Sequence, residues 1–268
     1  MTPAARKEAE LGSPAPFAQL RLARHEAADK TGRFDAAHDR LELQVYYRHK
    51  TAMTIQTSIP DFAAARLAMI ESQLRPQGVT DVRVLDAMGA IPRERFLPVE
   101  TRPLAYADRA VAMGAGRFLA APAVLGQLLT QMMPEPGQRA LVVGAGTGYS
   151  AAVLDRIGLD VVALEESAEL IAHGSELGVK FVQGSLVQGH GNGAPYDHIL
   201  IDGAVEAIPD AIVDQLADGG RLGTALVDHG VTRLIVGRKA GEAFGYLSFG
   251  DSGVPALPGF ICPKAFQF

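Results

Sequence analysis

At 268 residues and 48% hydrophobic composition, the chain is long enough to bury a sizeable core in one large domain with an appendage. A net charge of −5 without any basic run argues against nucleic acid as a partner, and the single cysteine, Cys262, excludes a disulfide framework or a cysteine metal cluster and is expected to be a buried apolar residue. No apolar run reaches membrane-spanning length and the N-terminus lacks a signal-peptide core, so no membrane partner and a cytoplasmic location are expected.

The chain changes character near residue 53. Residues 1–52 carry nine Lys/Arg, seven Asp/Glu and three His but only two of the 29 glycines, with no sustained apolar period. They are expected to be a disordered extension or the product of an upstream start choice, with short helices possible at 17–28 and 40–47. From Asp61 to Arg75 the spacing predicts a helix whose apolar face carries Phe62, Met69, Ile70 and Leu74. Gln77-Gly78 breaks it; Thr80 or Asp81 caps a second helix with a stripe of Val82, Leu85 and Met88. Pro92 and Pro98 bracket a turn that delivers Phe96 to the core, and a third helix is predicted over 122–132. Residues 53–136 therefore read as a helical N-terminal layer, ahead of a second domain over 137–268.

That domain opens with Arg139-Ala-Leu-Val-Val-Gly-Ala-Gly-Thr-Gly-Tyr149. Four apolar residues without polar alternation predict a buried strand, and helical spacing follows from Ser150 to Ile157. Between them, Gly144, Ala145, Gly146 and Gly148 form a tight turn that a ligand approaches closely, beside free N–H groups at a helix start. The third glycine of the dinucleotide fingerprint G-x-G-x-x-G is absent, since Tyr149 stands there. The form present, G-x-G-x-G, is the one typical of S-adenosylmethionine enzymes. The next strand, 160–164, ends in Glu165-Glu166, an acid placed to accept from both hydroxyls of a ribose. Further strands are predicted at 179–182, 197–201 and 220–227, a helix at 209–217, and a closing hairpin of 231–236 with 243–249. Alternating strands and helices predict an α/β fold, a Rossmann-like parallel sheet with ligands beyond the C-terminal strand ends.

Met69-Ile-Glu-Ser-Gln-Leu-Arg75, Gly78-Val-Thr-Asp-Val-Arg-Val-Leu-Asp-Ala-Met88, Ile91-Pro-Arg-Glu-Arg-Phe-Leu-Pro98 and the glycine motif closely resemble protein-L-isoaspartate O-methyltransferases. Ala105-Tyr-Ala-Asp108 and Leu216-Ala-Asp-Gly-Gly-Arg-Leu222 continue the resemblance, which spans about residues 62 to 240. It implies a seven-stranded methyltransferase sheet, S-adenosylmethionine as cofactor, and methylation of the stray carboxylate of isoaspartyl residues in damaged proteins or peptides.

Such a transfer needs no strong general base, because the carboxylate is ionised at neutral pH; it needs carboxylate and methyl held in line. The resemblance assigns that orienting work to a Gly-x-Gly-Gln-Thr-Ile-Ser-x-Pro segment. Here it reads Gly114-Ala-Gly-Arg-Phe-Leu-Ala-Ala-Pro122, so Arg117 and Ala120 stand at the substrate-binding positions. The acid that usually ends the first strand is Val142, and the expected Gly-Asp-Gly is Val182-Gln183-Gly184, in which Gln183 still offers an acceptor to an adenine amine. Asp202, after the fourth strand, is the candidate catalytic residue. It could hold the methionyl ammonium, orient a substrate proton, or simply cap a turn. Arg117 could read a substrate carboxylate bidentately or be solvated. The histidines lack metal-ligand spacing and no serine sits in a nucleophile elbow, so no metal is expected. The readings are thus an isoaspartyl-type carboxyl methyltransferase, a methyltransferase with a different acceptor, and a cofactor-binding regulatory homologue without catalysis.

Overall fold

The computed structural model describes residues 61–260, so the 1–52 extension and Cys262 lie outside the described residues. Helix α1 (Phe62–Met69) starts where the Asp61 carboxylate accepts from the Ala63 and Ala64 amides at 3.1 and 3.0 Å. It widens into a π-type turn over Ile70–Leu74, with Arg75 N donating to the Ile70 carbonyl at 3.1 Å. Asp81 caps α2 (Val82–Ala90), accepting from Arg83 N at 2.9 Å. The buried stripe of α2 is Val84, Leu85, Ala87 and Met88; Val82, expected on it, is exposed because the first turn overhangs the core.

The segment read as purely helical contains a small antiparallel hairpin, β1 (Val111–Gly114) and β2 (Arg117–Leu119). Its turn runs through Gly114, Ala115 and Gly116, all at positive φ. Helix α3 (Pro122–Met132) follows, with Pro122 at its first position, where no amide donor is needed. It packs against the sheet, and the helices and sheet share one apolar core.

Strand β3 (Arg139–Val143) buries Ala140 to Val143 completely, as a strand covered on both faces must. The glycine turn leads into α4 (Tyr149–Ile157), then β4 (Asp160–Glu165), α5 (Ala168–Glu176) and β5 (Phe181–Gln183). The chain then crosses to β6 (Tyr196–Val205), passes the short α6 (Asp210–Val213) and forms β7 (Leu216–Asp228), β8 (Val231–Ala240) and β9 (Ala243–Asp251). The seven strands are ordered β5-β4-β3-β6-β7-β8-β9. All pair in parallel up to β7; β8 and β9 close the sheet antiparallel.

Two predicted bounds change. The helix expected over 209–217 has only the four residues of α6, because Leu216 already begins β7. Strand β6 does not stop at Ile201 but runs on to Val205 through an irregularity between Leu200 and Ala204. A late arm props up that extension: Ala204 N donates to the Pro255 carbonyl at 3.0 Å and Leu257 N to the Ala204 carbonyl at 2.7 Å. Strand order reverses at β3, between β4 and β6. The crevice beyond the C-terminal ends of β3 and β6 is therefore where a ligand belongs in such a sheet.

Candidate functional site

The crevice is built on the turn after β3. Gly144, Gly146 and Gly148 have φ of 73°, 58° and 93°, the left-handed region where a side chain is strained. Thr147, between them, donates its hydroxyl to the Phe96 carbonyl at 2.6 Å and so ties the turn to the helical layer. Ala145 is buried in the core, and its amide, like that of Gly144, donates to the Leu164 carbonyl, at 3.0 and 2.9 Å.

Glu165, at the end of β4, is fully buried. Its Oε2 accepts from Gly146 N at 2.8 Å; its Oε1 accepts from Glu166 N at 2.9 Å and Ser167 N at 3.1 Å. Three backbone donors satisfy this buried carboxylate. Glu166 and Gln183 are exposed, and the Gln183 amide donates to the Glu166 carbonyl at 3.1 Å, leaving its side-chain oxygen as an acceptor. Gly184, half-buried, donates to the Glu165 carbonyl at 3.2 Å. The donor set suits a nucleoside in kind: a buried carboxylate for hydroxyls, an amide-type acceptor beside it, and a glycine turn that permits close approach.

Arg117 comes to the same carboxylate. It is not solvated: its side chain is 4% exposed and its Nη1 lies 3.2 and 3.1 Å from the two oxygens of Glu165. Its Nη2 donates to the Gly144 carbonyl at 2.5 Å. A methyl group built on Gly144 would stand 2.7 Å from that Nη2 and 3.0 Å from Leu257; one on Gly146 would stand 2.6 Å from the Met113 methyl. The faces that a ligand would approach are thus covered by side chains of the hairpin and the late arm. What remains beside Arg117, Phe118, Ala120, Asp202 and the 254–257 arm is a cavity of about 10 Å³, room for one water. A larger cavity of about 300 Å³ lies on the far side of α4, between Ile91, Asp155 and Lys180, and contains none of the candidate residues.

Asp202 lies within β6 rather than after it, and caps no turn: its Oδ2 accepts from the Ser150 hydroxyl at 2.5 Å. Burial pushes its carboxyl above the ordinary carboxylate range, opposed by the Ser150 hydrogen bond and by the charges of Arg117 and Arg93. Ala120 is buried, and its carbonyl accepts from the Arg93 guanidinium, which also donates to the Ala105 carbonyl at 2.7 Å. Arg93 lies over the Tyr149 ring, 4.9 Å from its centroid, and burial lowers the arginine's pKa. Among the described residues, the buried Tyr149 hydroxyl has no hydrogen-bond partner of good geometry. The structure therefore brings Arg117, Glu165, Gly144, Gly146, Ala120 and Asp202 to one crevice and leaves Glu166 and Gln183 on its rim. Arg93 and Ser150 were not anticipated; a charged residue in a turn flanked by core positions was the only signal for Arg93.

Tyr106 and Asp108 belong to the helical layer. Tyr106 accepts from Arg66 Nε at 2.9 Å and donates to Glu94, and Asp108 accepts from Gln77 at 3.0 Å. Among the described residues, no three His, Cys, Asp or Glu gather as a metal site, and no helix is long and apolar enough to cross a membrane.

The fold and the crevice define a Rossmann-like α/β protein with a nucleoside-type cradle at its topological switch point. Comparison with known proteins narrows that class. The family model for protein-L-isoaspartate(D-aspartate) O-methyltransferase matches residues 65–243. The chain is 40% identical over 204 residues to the protein-L-isoaspartate O-methyltransferase of Methylorubrum populi, covering 73% of this chain and 96% of that one. It is 37% identical over 177 residues to the enzyme of Koribacter versatilis, covering 63% and 80%. Among solved structures, a Plasmodium falciparum protein described as a putative protein-L-isoaspartate O-methyltransferase in complex with S-adenosyl-L-homocysteine shares the fold, with a TM-score of 0.62 at 20% identity over 72% of this chain and 97% of that one. The chain belongs to the protein-L-isoaspartate O-methyltransferase family.

Proposed function

We propose that the protein is an S-adenosylmethionine-dependent methyltransferase acting on the free carboxylate of isoaspartyl residues in damaged proteins or peptides. Family membership supports it, and the single observation that carries it is the buried Glu165, held by Gly146 N at the glycine turn where the sheet order reverses. When bound, the cofactor supplies an activated methyl group. This chain's residues have three tasks. Glu165 accepts from the nucleoside hydroxyls, with the positive-φ backbone of the Gly144, Gly146 and Gly148 turn beside it. Gln183, Gly184 and Glu166 form the rim on the adenine side. Arg117, Ala120 and Asp202 face the acceptor side, where the in-line approach of a carboxylate is set by position rather than by proton transfer. Ala120 offers only its backbone, and Arg93 holds that backbone in place.

Methyl transfer from labelled S-adenosylmethionine to an isoaspartyl peptide, with the aspartyl peptide as control, tests this reading. Transfer to the isoaspartyl peptide alone supports it; cofactor binding with no transfer to either peptide contradicts the catalytic part. A second reading, a cofactor-binding regulatory homologue without catalysis, is favoured by one observation: Ala120 stands where the resembled segment carries a serine and offers no side-chain hydrogen bond.

A further inference from the structure

Arg117 and the nucleoside of a bound cofactor make competing claims on one carboxylate. The guanidinium spans both oxygens of Glu165 and the Gly144 carbonyl, so it covers the acid and the first glycine of the turn together. It is delivered by a three-residue strand in a hairpin whose turn, Gly114-Ala115-Gly116, sits at positive φ throughout. Among the described residues, the hairpin stands as a separate two-stranded sheet. Glu165 keeps three backbone donors when the arginine is removed, so the acid does not depend on the arginine for hydrogen bonds. Among the described residues, the arginine, buried at 4% exposure, has Glu165 alone as an ion-pair partner.

We propose that Arg117 is a displaceable plug. It closes the cofactor acid in the free protein; cofactor binding drives it off Glu165, and the freed guanidinium then reads the carboxylate of the acceptor, so that cofactor binds before acceptor. This inference rests on the cofactor reading given above and adds an order and a specificity residue to it. The chemistry is that of one fork-shaped cation with two alternative carboxylates: Glu165 when the crevice is closed, the acceptor when it is filled. The cavity beside Arg117, Ala120 and Asp202 marks the side to which the guanidinium would turn.

The test is calorimetric titration of S-adenosylhomocysteine into the full-length protein and into Arg117→Gln and Arg117→Lys. Removing the competitor relieves the free protein of its closed state, so the Gln variant is expected to bind about tenfold more tightly, with the Lys variant between, since lysine keeps the charge but not the fork. Equal or weaker binding by the Gln variant overturns the plug while leaving the cofactor reading intact. Absence of binding in every form overturns the cofactor reading and the plug with it. The second arm titrates an isoaspartyl peptide with and without S-adenosylhomocysteine. The wild-type protein should bind the peptide about tenfold more tightly when the nucleoside is present, and Arg117→Gln should lose that dependence. Peptide affinity in the wild type that ignores the nucleoside overturns the handover. Should the Gln variant fail to fold, the Lys variant carries both arms, and wild-type-like behaviour in both overturns the proposal.

Discussion

Two arginine–glutamate pairs in this molecule have the same chemistry and opposite settings. Arg66 and Glu94 meet at 3.3 Å between helix α1 and the turn before β1, with side chains 19% and 11% exposed, and Tyr106 completes the network. Arg117 and Glu165 meet at 3.1 Å with side chains 4% and 0% exposed, against a glycine turn. The first pair is stitched into the helical layer and has nothing to release. The second is held on the acid's side by three backbone amides and on the arginine's side by a long side chain on a hairpin outside the main sheet, so the acid is fixed while the guanidinium can swing on its own side chain. An ion pair is structural when both of its ends are anchored; it becomes a device when only one is.

The comparison can be broken most severely at Glu165. Glu165→Ala strands the Arg117 guanidinium in the crevice and should cost about 3–5 kcal/mol in urea unfolding, with loss of S-adenosylhomocysteine binding. A loss below about 1 kcal/mol would mean that the guanidinium reaches water readily. Next in size is a pH effect that must be separated from either pair. Burial lowers the His198 imidazole to about 4, with Nε2 against the Gln138 side-chain oxygen at 2.8 Å. Its folded value lies below the unfolded one, so the contribution is complete above about pH 6.5 and lost as pH falls towards 4, by up to about 3 kcal/mol. Unfolding free energies of wild type and His198→Gln measured between pH 7 and 4 should converge as pH drops; parallel curves would refute this assignment. Tyr106→Phe removes both hydrogen bonds of the anchored network and should cost about 1–2 kcal/mol while leaving nucleoside affinity unchanged. The smallest effect belongs to a surface control: Glu71→Gln breaks the exposed pair with Arg75, 3.2 Å apart and four residues on, and should shift stability by less than about 0.5 kcal/mol.

What could be read from the sequence divides along the same line. Strand β3, the glycine turn and the acid at the end of β4 were legible because a fully buried strand is a continuous apolar run and a positive-φ turn demands glycine. The hairpin of β1 and β2 was hidden: strands of four and three residues carry too little alternation to be distinguished from loop. The extension of β6 to Val205 depends on an arm some fifty residues later, and no local pattern reports such a partner. Arg117 was recognised as a departure from the family segment, but its partner lies 48 residues away, so pairing with Glu165 was invisible. The apolar run that marks the fourth strand ends at Ile201, which places Asp202 after it; the strand instead runs on through Gly203, which sits against Leu257 in the space a side chain would need.

The central claim is that Glu165 serves two partners in turn, and a crystal structure with S-adenosylhomocysteine bound tests it most directly. The account predicts the nucleoside hydroxyls on Glu165, with Arg117 withdrawn beyond hydrogen-bond distance and turned towards Ala120 and Asp202. A bound nucleoside with Arg117 still 3.1 Å from Glu165 would contradict it.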